Sequence, residues 1–257
     1  MISNIPIMDL LLLLLATDVP DNVPDIVTDR PDITESAIVV PKGSLQFENG
    51  FTFSLDHGER SLDLSETLVR LGLSKRFELR IGLPNHIDGF AASEQVTGFG
   101  DPSVGMKYQI GPLPGRFDLS VIAGVTIPSA TAFSSGGADP FVKFPWSREL
   151  GRGWSVGGMQ SLFFNSTEAH RPVWEPVFYL ERELTHRWEA FAEYAGDYHS
   201  SGAPSQQVMH FGTAYKVTPV QQIDFHFGFG LNDTTPQRFF AAGYSFRFDH
   251  LGRWWKH

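Results

Sequence analysis

In the stretch QQIDFHFGFGL, residues 221–231, Asp224 and His226 stand two residues apart. In a strand that spacing puts both on one face. His210 falls on the equivalent face of the preceding segment. Such a set would hold a metal if its donors converged at coordination distance, or serve as the base of a hydrolase beside a serine. Ser245, in the last segment, is the nearest serine. Membrane-embedded lipases of that design work from their lipid-facing surface, whereas His210, Asp224 and His226 are expected on an inner face. A hydrogen-bond network is the plainer reading, and neither a catalytic set, a metal nor a cofactor is assigned.

Charge is the second candidate chemistry. Glu175, Glu181, Glu189 and Glu193 fall on two consecutive segments with the same parity, and Arg70, Arg80, Lys107 and Lys143 fall on earlier ones. If both sets face one lumen, one wall is acidic and the opposite wall basic. Two readings stay open. The walls set up a transverse field that orients dipolar solutes in a pore, or they pair directly across a narrow lumen and plug it. Phe141, Met159, Phe163, Val177, Tyr179 and Phe191 share the inward parity and would add an apolar patch.

A third charged group lies in TDVPDNVPDIVTDRPDITESAIVVPK, residues 17–42, which is rich in proline and aspartate and has no apolar period. It reads as an extended periplasmic segment. Asp29, Arg30 and Asp32 are candidates for a plug at the periplasmic mouth, with Arg30 pairing to lumen acids; the alternative is a solvated tether.

The elements that must carry these groups are strands. From residue 43 to 249 bulky residues alternate with small or polar ones over stretches of about ten residues, separated by Gly, Pro, Asn and Asp clusters. Ile223, Phe225, Phe227, Phe229 and Leu231 are one bulky face; Phe240, Ala242, Tyr244, Phe246 and Phe248 are the last of about twelve. Short connections (SKR, GPLPG, ELGRG, THR, VTPV) alternate with longer ones at 54–63, 86–98, 128–138, 165–173, 198–206 and 232–237. That alternation is expected of an up-and-down barrel with one rim in the periplasm and one outside. About twelve strands close on a ring too wide for side chains to fill, so the charged face belongs inside and the aromatic face in lipid. Trp146, Trp154, Trp174 and Trp188 lie near strand ends, where interfacial girdles sit. The fold class is therefore all-β, an antiparallel up-and-down transmembrane β-barrel of about twelve strands behind an extended N-terminal leader.

Composition agrees. Of 257 residues, 22 are Phe and 25 are Gly, and the net charge is −9 without a basic stripe, which argues against nucleic acid. The absence of cysteine excludes a disulfide scaffold and a thiolate metal site. The apolar run Leu10–Ala16 has the length of a signal-peptide core, although Asp9 and the lack of Lys or Arg before it are atypical. Residues 1–16 are read as a signal or hydrophobic leader and 250–257 as a C-terminal tail.

The segments TDRPDITESAIVVPKGSLQFENGF (28–51), GFGDPSVGMKYQI (98–110), WEPVFYLEREL (174–184), WEAFAEYAGDY (188–198) and QQIDFHFGFGL resemble the outer-membrane transporter-like family named for the meta-cleavage pathway of phenol degradation. The resemblance spans residues 28–249. It implies a bacterial outer-membrane channel or transporter for small, aromatic solutes, with the lipid bilayer and the outer-membrane assembly machinery as partners. The tail departs from the pattern, because DHLGRWWKH follows Phe248 where such barrels often end on an aromatic. A plugged barrel with a structural or binding role is the alternative, and a membrane-embedded hydrolase a more distant one.

Overall fold

A computed structural model describes residues 24–91 and 94–251; the run at 10–16 and the end of the tail lie outside the described residues. The first eight strands are β1 (Leu45–Asp56), β2 (Glu59–Leu64), β3 (Leu68–Gly72), β4 (Phe77–Gly82), β5 (His86–Ala91), β6 (Glu94–Phe99), β7 (Ser103–Gln109) and β8 (Phe117–Thr126). The rest are β9 (Asp139–Gly151), β10 (Trp154–Phe164), β11 (Pro172–Thr185), β12 (Trp188–Gly196), β13 (Tyr198–His199), β14 (Gln207–Thr218), β15 (Gln221–Gly230) and β16 (Arg238–Phe248). Every pairing is antiparallel, and β16 closes on β1 with Leu45 opposite Phe248 and Phe53 opposite Phe240.

The ring has twelve staves: β1, β3, β4, β7 to β12, and β14 to β16. β2 continues the second stave beyond a break at residues 65–67, β5 the third beyond 83–85, and β6 the fourth beyond 100–102. Pro84 and Pro102, which lack a backbone donor, sit in two of these breaks. Residues 54–63 and 86–98 were expected as loops, and here the structure corrects the sequence reading: both are strand hairpins that extend the wall, the first turning at His57 and Gly58. The short rim needs tight turns. In ELGRG, Gly151 and Gly153 adopt φ values of +89° and +74°, which a side chain would strain.

Burial is inverted relative to a soluble protein. Phe225 and Phe227 on β15 are 58% and 50% exposed, while Asp224 between their neighbours is 0% exposed. The face that a soluble barrel would hide thus forms an apolar belt, and the closure of β16 on β1 leaves the ring without an open edge. Trp154, Trp174 and Trp188 are exposed on this outer surface; Trp188 Nε1 donates to Thr213 Oγ1 at 2.6 Å and Trp174 Nε1 to Gln160 Oε1 at 3.0 Å, so these two indoles keep their polar edges satisfied. Phe225→Arg is expected to lower stability by about 2–4 kcal/mol, the cost of a cation near the bilayer midplane. A urea titration of the protein folded into liposomes reads this, and an unchanged midpoint would mean that the phenylalanine face does not meet lipid.

Candidate functional site

The lumen is where the chemistry collects, and the leader is inside it. Residues 24–42, expected in the periplasm, enter the barrel from the short-turn rim, turn near mid-barrel and return to the same rim before β1. On the inward arm Ile26 N donates to Pro219 O at 2.6 Å, and Arg247 Nη2 donates to Pro24 O at 2.6 Å. On the return arm Val40 N donates to Glu78 Oε2 at 2.7 Å, and Gly43 N to Gly72 O at 2.7 Å.

The leader has no helix or strand of its own, so its buried peptide groups must find partners elsewhere. The wall's side chains supply them. Val27 O accepts from Gln46 Nε2 at 2.9 Å and Arg70 Nη1 at 3.1 Å, and Asp29 N donates to Glu48 Oε2 at 2.8 Å. Ile33 N and Thr34 N donate to the two oxygens of Glu193, at 2.8 and 3.0 Å. Ser36 O accepts from Lys107 Nζ at 2.8 Å, Ile38 O from Arg70 Nη2 at 2.9 Å, and Ala37 O from the hydroxyl of Ser120. Ser36 N donates to Asp29 Oδ1 at 2.8 Å, which ties the two arms together. Irregular backbone at membrane depth is tolerable when it is enclosed in protein like this.

The charges explain why the leader sits on one side. Arg70, on β3, holds Glu78 through two parallel bonds, Nε–Oε1 at 2.7 Å and Nη2–Oε2 at 2.9 Å, and reaches Glu48 at 2.8 Å. Arg80 is its cross-strand neighbour. Two guanidinium groups side by side would repel, and Asp29 lies within 3.2 Å of Arg70 and 2.6 Å of Arg80, with Lys107 3.2 Å away. Burial alone would raise the Asp29 carboxyl, but the surrounding Arg70, Arg80 and Lys107 outweigh it and hold that carboxyl well below its usual range. Glu35 is likewise lowered, burial being outweighed by Arg80 at 2.8 Å and Lys143 at 2.7 Å. The basic wall is therefore neutralised by the leader and by Glu48 and Glu78, not by the acidic wall across the lumen.

Arg30 is the leader's own cation. Its guanidinium bridges Glu66 at 2.8 Å and Asp224 at 3.5 Å. It lies flat against a bare patch of wall made by Gly50 and Gly243, which oppose one another across β1 and β16; a Cβ on either would overlap it. This cradle was not singled out in the sequence. The only trace was a glycine on the inward parity of two strands that had to be neighbours for the ring to close.

Asp224 is thus drawn to Arg30 and away from the histidines. His210 makes a close contact with Glu193, and its Nδ1 lies 3.4 Å from Nδ1 of His226. The rings of Phe191 and Phe239 pack over Gly212 and Gly228 beside them. Among the described residues no group of three His, Asp or Glu side chains is close enough to hold a metal ion. Ser245 is buried opposite Glu48 and Gln222, with no histidine in register.

The acidic wall is otherwise constituted. Glu193 is committed to the leader and His210, and Glu181 accepts from Ser155 Oγ at 3.0 Å. Glu175, Glu181 and Glu189 have no ion-pair partner among the described residues. Asp32, from the leader, faces them. Its carboxyl is pushed well above the usual range, first by burial and then by the charges of Glu193, Glu181 and Glu189. An apolar patch lies beyond the turn of the leader, where Ile33 packs on Met159, Val177 and Ala195 next to Val208. Lys143 sits 5.3 and 5.4 Å from the ring centres of Phe141 and Phe163, so its charge rests over two aromatic faces. Beside the leader lie a space of about 240 Å³ towards the acidic wall and one of about 330 Å³ between Arg30, Glu66 and Arg80.

A family model described as "Putative MetA-pathway of phenol degradation" matches residues 28–248. No curated protein matches the chain. Among solved structures, the COG4313 outer membrane channel from Pseudomonas putida F1 superposes with a TM-score of 0.64 at 11% identity, covering 82% of this chain and 98% of that one. The NanC porin gives 0.54 at 12% identity over 79% and 98% of the two chains. The KdgM porin gives 0.54 at 10% identity over 80% and 99%. At such identities the likeness is one of fold.

Proposed function

The chain belongs to the family of the MetA pathway of phenol degradation, and from that premise we propose that it is a bacterial outer-membrane channel for small solutes, aromatic ones among them. The observation that carries this reading is a closed twelve-stave ring with a lipid-compatible exterior and a charged lumen that the leader fills only in part. Tyr179, which lines the space of about 240 Å³ beside the leader, gives an uncharged ring an aromatic face between charged walls. Insertion by the outer-membrane assembly machinery belongs to the same reading. Catalysis is not part of it: Ser245, the serine candidate, stands opposite Glu48 and Gln222 and not in register with a histidine.

The density of bonds between leader and wall favours a second reading, a plugged barrel that binds or braces without conducting. Single-channel recording of the refolded protein in a planar bilayer, with and without a simple phenol, separates the two. Steady conductance that phenol reduces is the expected result. A silent bilayer containing a properly folded barrel would move the assignment to the structural or binding role.

A further inference from the structure

The leader leaves the lumen electrically lopsided. It brings carboxylates to the basic wall and none of its cations to the acidic one, since Arg30 is spent on Glu66 and Asp224. The space of about 240 Å³ beside it is bounded by Asp32, Glu181 and Glu189. Lys216 is the cation that acts on both glutamates, yet it is paired with Asp25 at 3.4 Å. Arg148 also lines the space, and Glu149 next to it is paired with Arg116 at 3.3 Å. Three carboxylates thus face one cavity without an ion-pair partner among the described residues.

A second observation points to a ligand. Thr34, 5% exposed, lines the same cavity, and its hydroxyl oxygen has no hydrogen-bond partner among the described residues. A buried hydroxyl left unpaired costs free energy that a polar solute would recover. Tyr179 supplies an aromatic wall, and the carboxylates are too dispersed to chelate a metal. What the cavity offers is acceptors, an aromatic surface and a negative field.

We propose that this cavity is the solute subsite on the short-turn side, and that it takes small aromatic molecules carrying an O–H or N–H donor and no negative charge, phenols and anilines, while turning away aromatic carboxylates. The inference rests on the channel reading only for its transport consequence. A phenol donates a hydrogen bond to Glu181 or Glu189 and lies against Tyr179; a benzoate brings a further carboxylate to a space lined by six carboxyl groups and three cations. The same field makes small cations favoured over anions.

Two measurements test it on the full chain. Reversal potentials in a potassium chloride gradient should give a cation preference of about fivefold that Glu181→Gln/Glu189→Gln removes while conductance persists. Fluorine NMR of the detergent-folded protein should show 4-fluorophenol binding and 4-fluorobenzoate not binding, with the phenol signal lost in the same variant. The NMR arm needs no conduction, so phenol binding in a silent barrel would overturn the channel reading and leave the subsite standing. Conduction without cation preference, equal binding of the two probes, or binding that survives the double substitution would overturn the subsite.

Discussion

Deletion of residues 24–36 is expected to raise the conductance of the barrel about tenfold, because the ring itself is wide enough for a channel and the leader occupies its centre. The effect follows from position. The inward arm covers β14 to β16 and β1, the turn is fixed on Glu193, and the return arm covers β3 to β8; solutes are left the two spaces on either side. The deletion also strips Arg70, Arg80 and Lys107 of Asp29, so folding must be checked by the heat-dependent gel mobility typical of such barrels. A gentler variant gives the same answer with the chain complete. Gly243→Val fills the cradle that receives Arg30 and should dislodge the leader's turn while the wall's hydrogen-bond ladder persists. Conductance equal to wild type in both variants would show that the leader does not obstruct the pore.

Arg70→Met should be the most damaging single substitution in the wall, with an expected loss of about 3–5 kcal/mol, the range for removing one partner of a buried ion pair. Arg70 is 0% exposed and holds Glu78, Glu48 and Asp29 together, besides two peptide oxygens of the leader. Its removal leaves Glu48 buried with no cation within ion-pair distance among the described residues. The urea midpoint in detergent micelles reads the loss. The cause can be separated from packing, since adding Glu48→Gln to Arg70→Met removes one stranded charge and should recover part of the stability. No recovery would mean that lost packing of the long side chain, not the charge, dominates.

The wall was legible in the sequence because lipid and lumen impose opposite demands on alternate residues, and a period of two survives in every stave. Phe225 out and Asp224 in need no long-range information. The hairpins at 54–63 and 86–98 escaped because beyond the bilayer neither face must be apolar; ERSLDL and HIDGFA alternate too weakly to be told from loops. The sixteen separate strands, as against twelve, come from four interruptions: three split a stave, two of them at Pro84 and Pro102, and the fourth sets off β13 after Asp197. The inner site was legible as a set of inward charges and unreadable as a set of partners. Arg30 meets Asp224 across 194 residues and Arg247 meets Pro24 across 223, and an irregular segment has no period from which its path could be inferred. The basic and acidic walls were expected on facing strands, and the leader that lies between them brings counter-charges to the basic one alone.

Residues 24 and 42 stand at one rim, so the described part of the leader is inserted as a loop and is not threaded through the ring. Within residues 24–42 nothing topological ties it down. It can be laid into a ring that has already closed, and drawn out of one without opening a seam. A pull on its N-terminal side would act on Pro24 and Asp25 first and on Arg30 and Ile33 only afterwards, peeling bonds in succession where a pull on both ends at once would have to shear them together. Extraction from the periplasmic side is therefore the mechanically gentle route, and withdrawal towards the outside, through the hairpins of the far rim, would have to drag both arms at once.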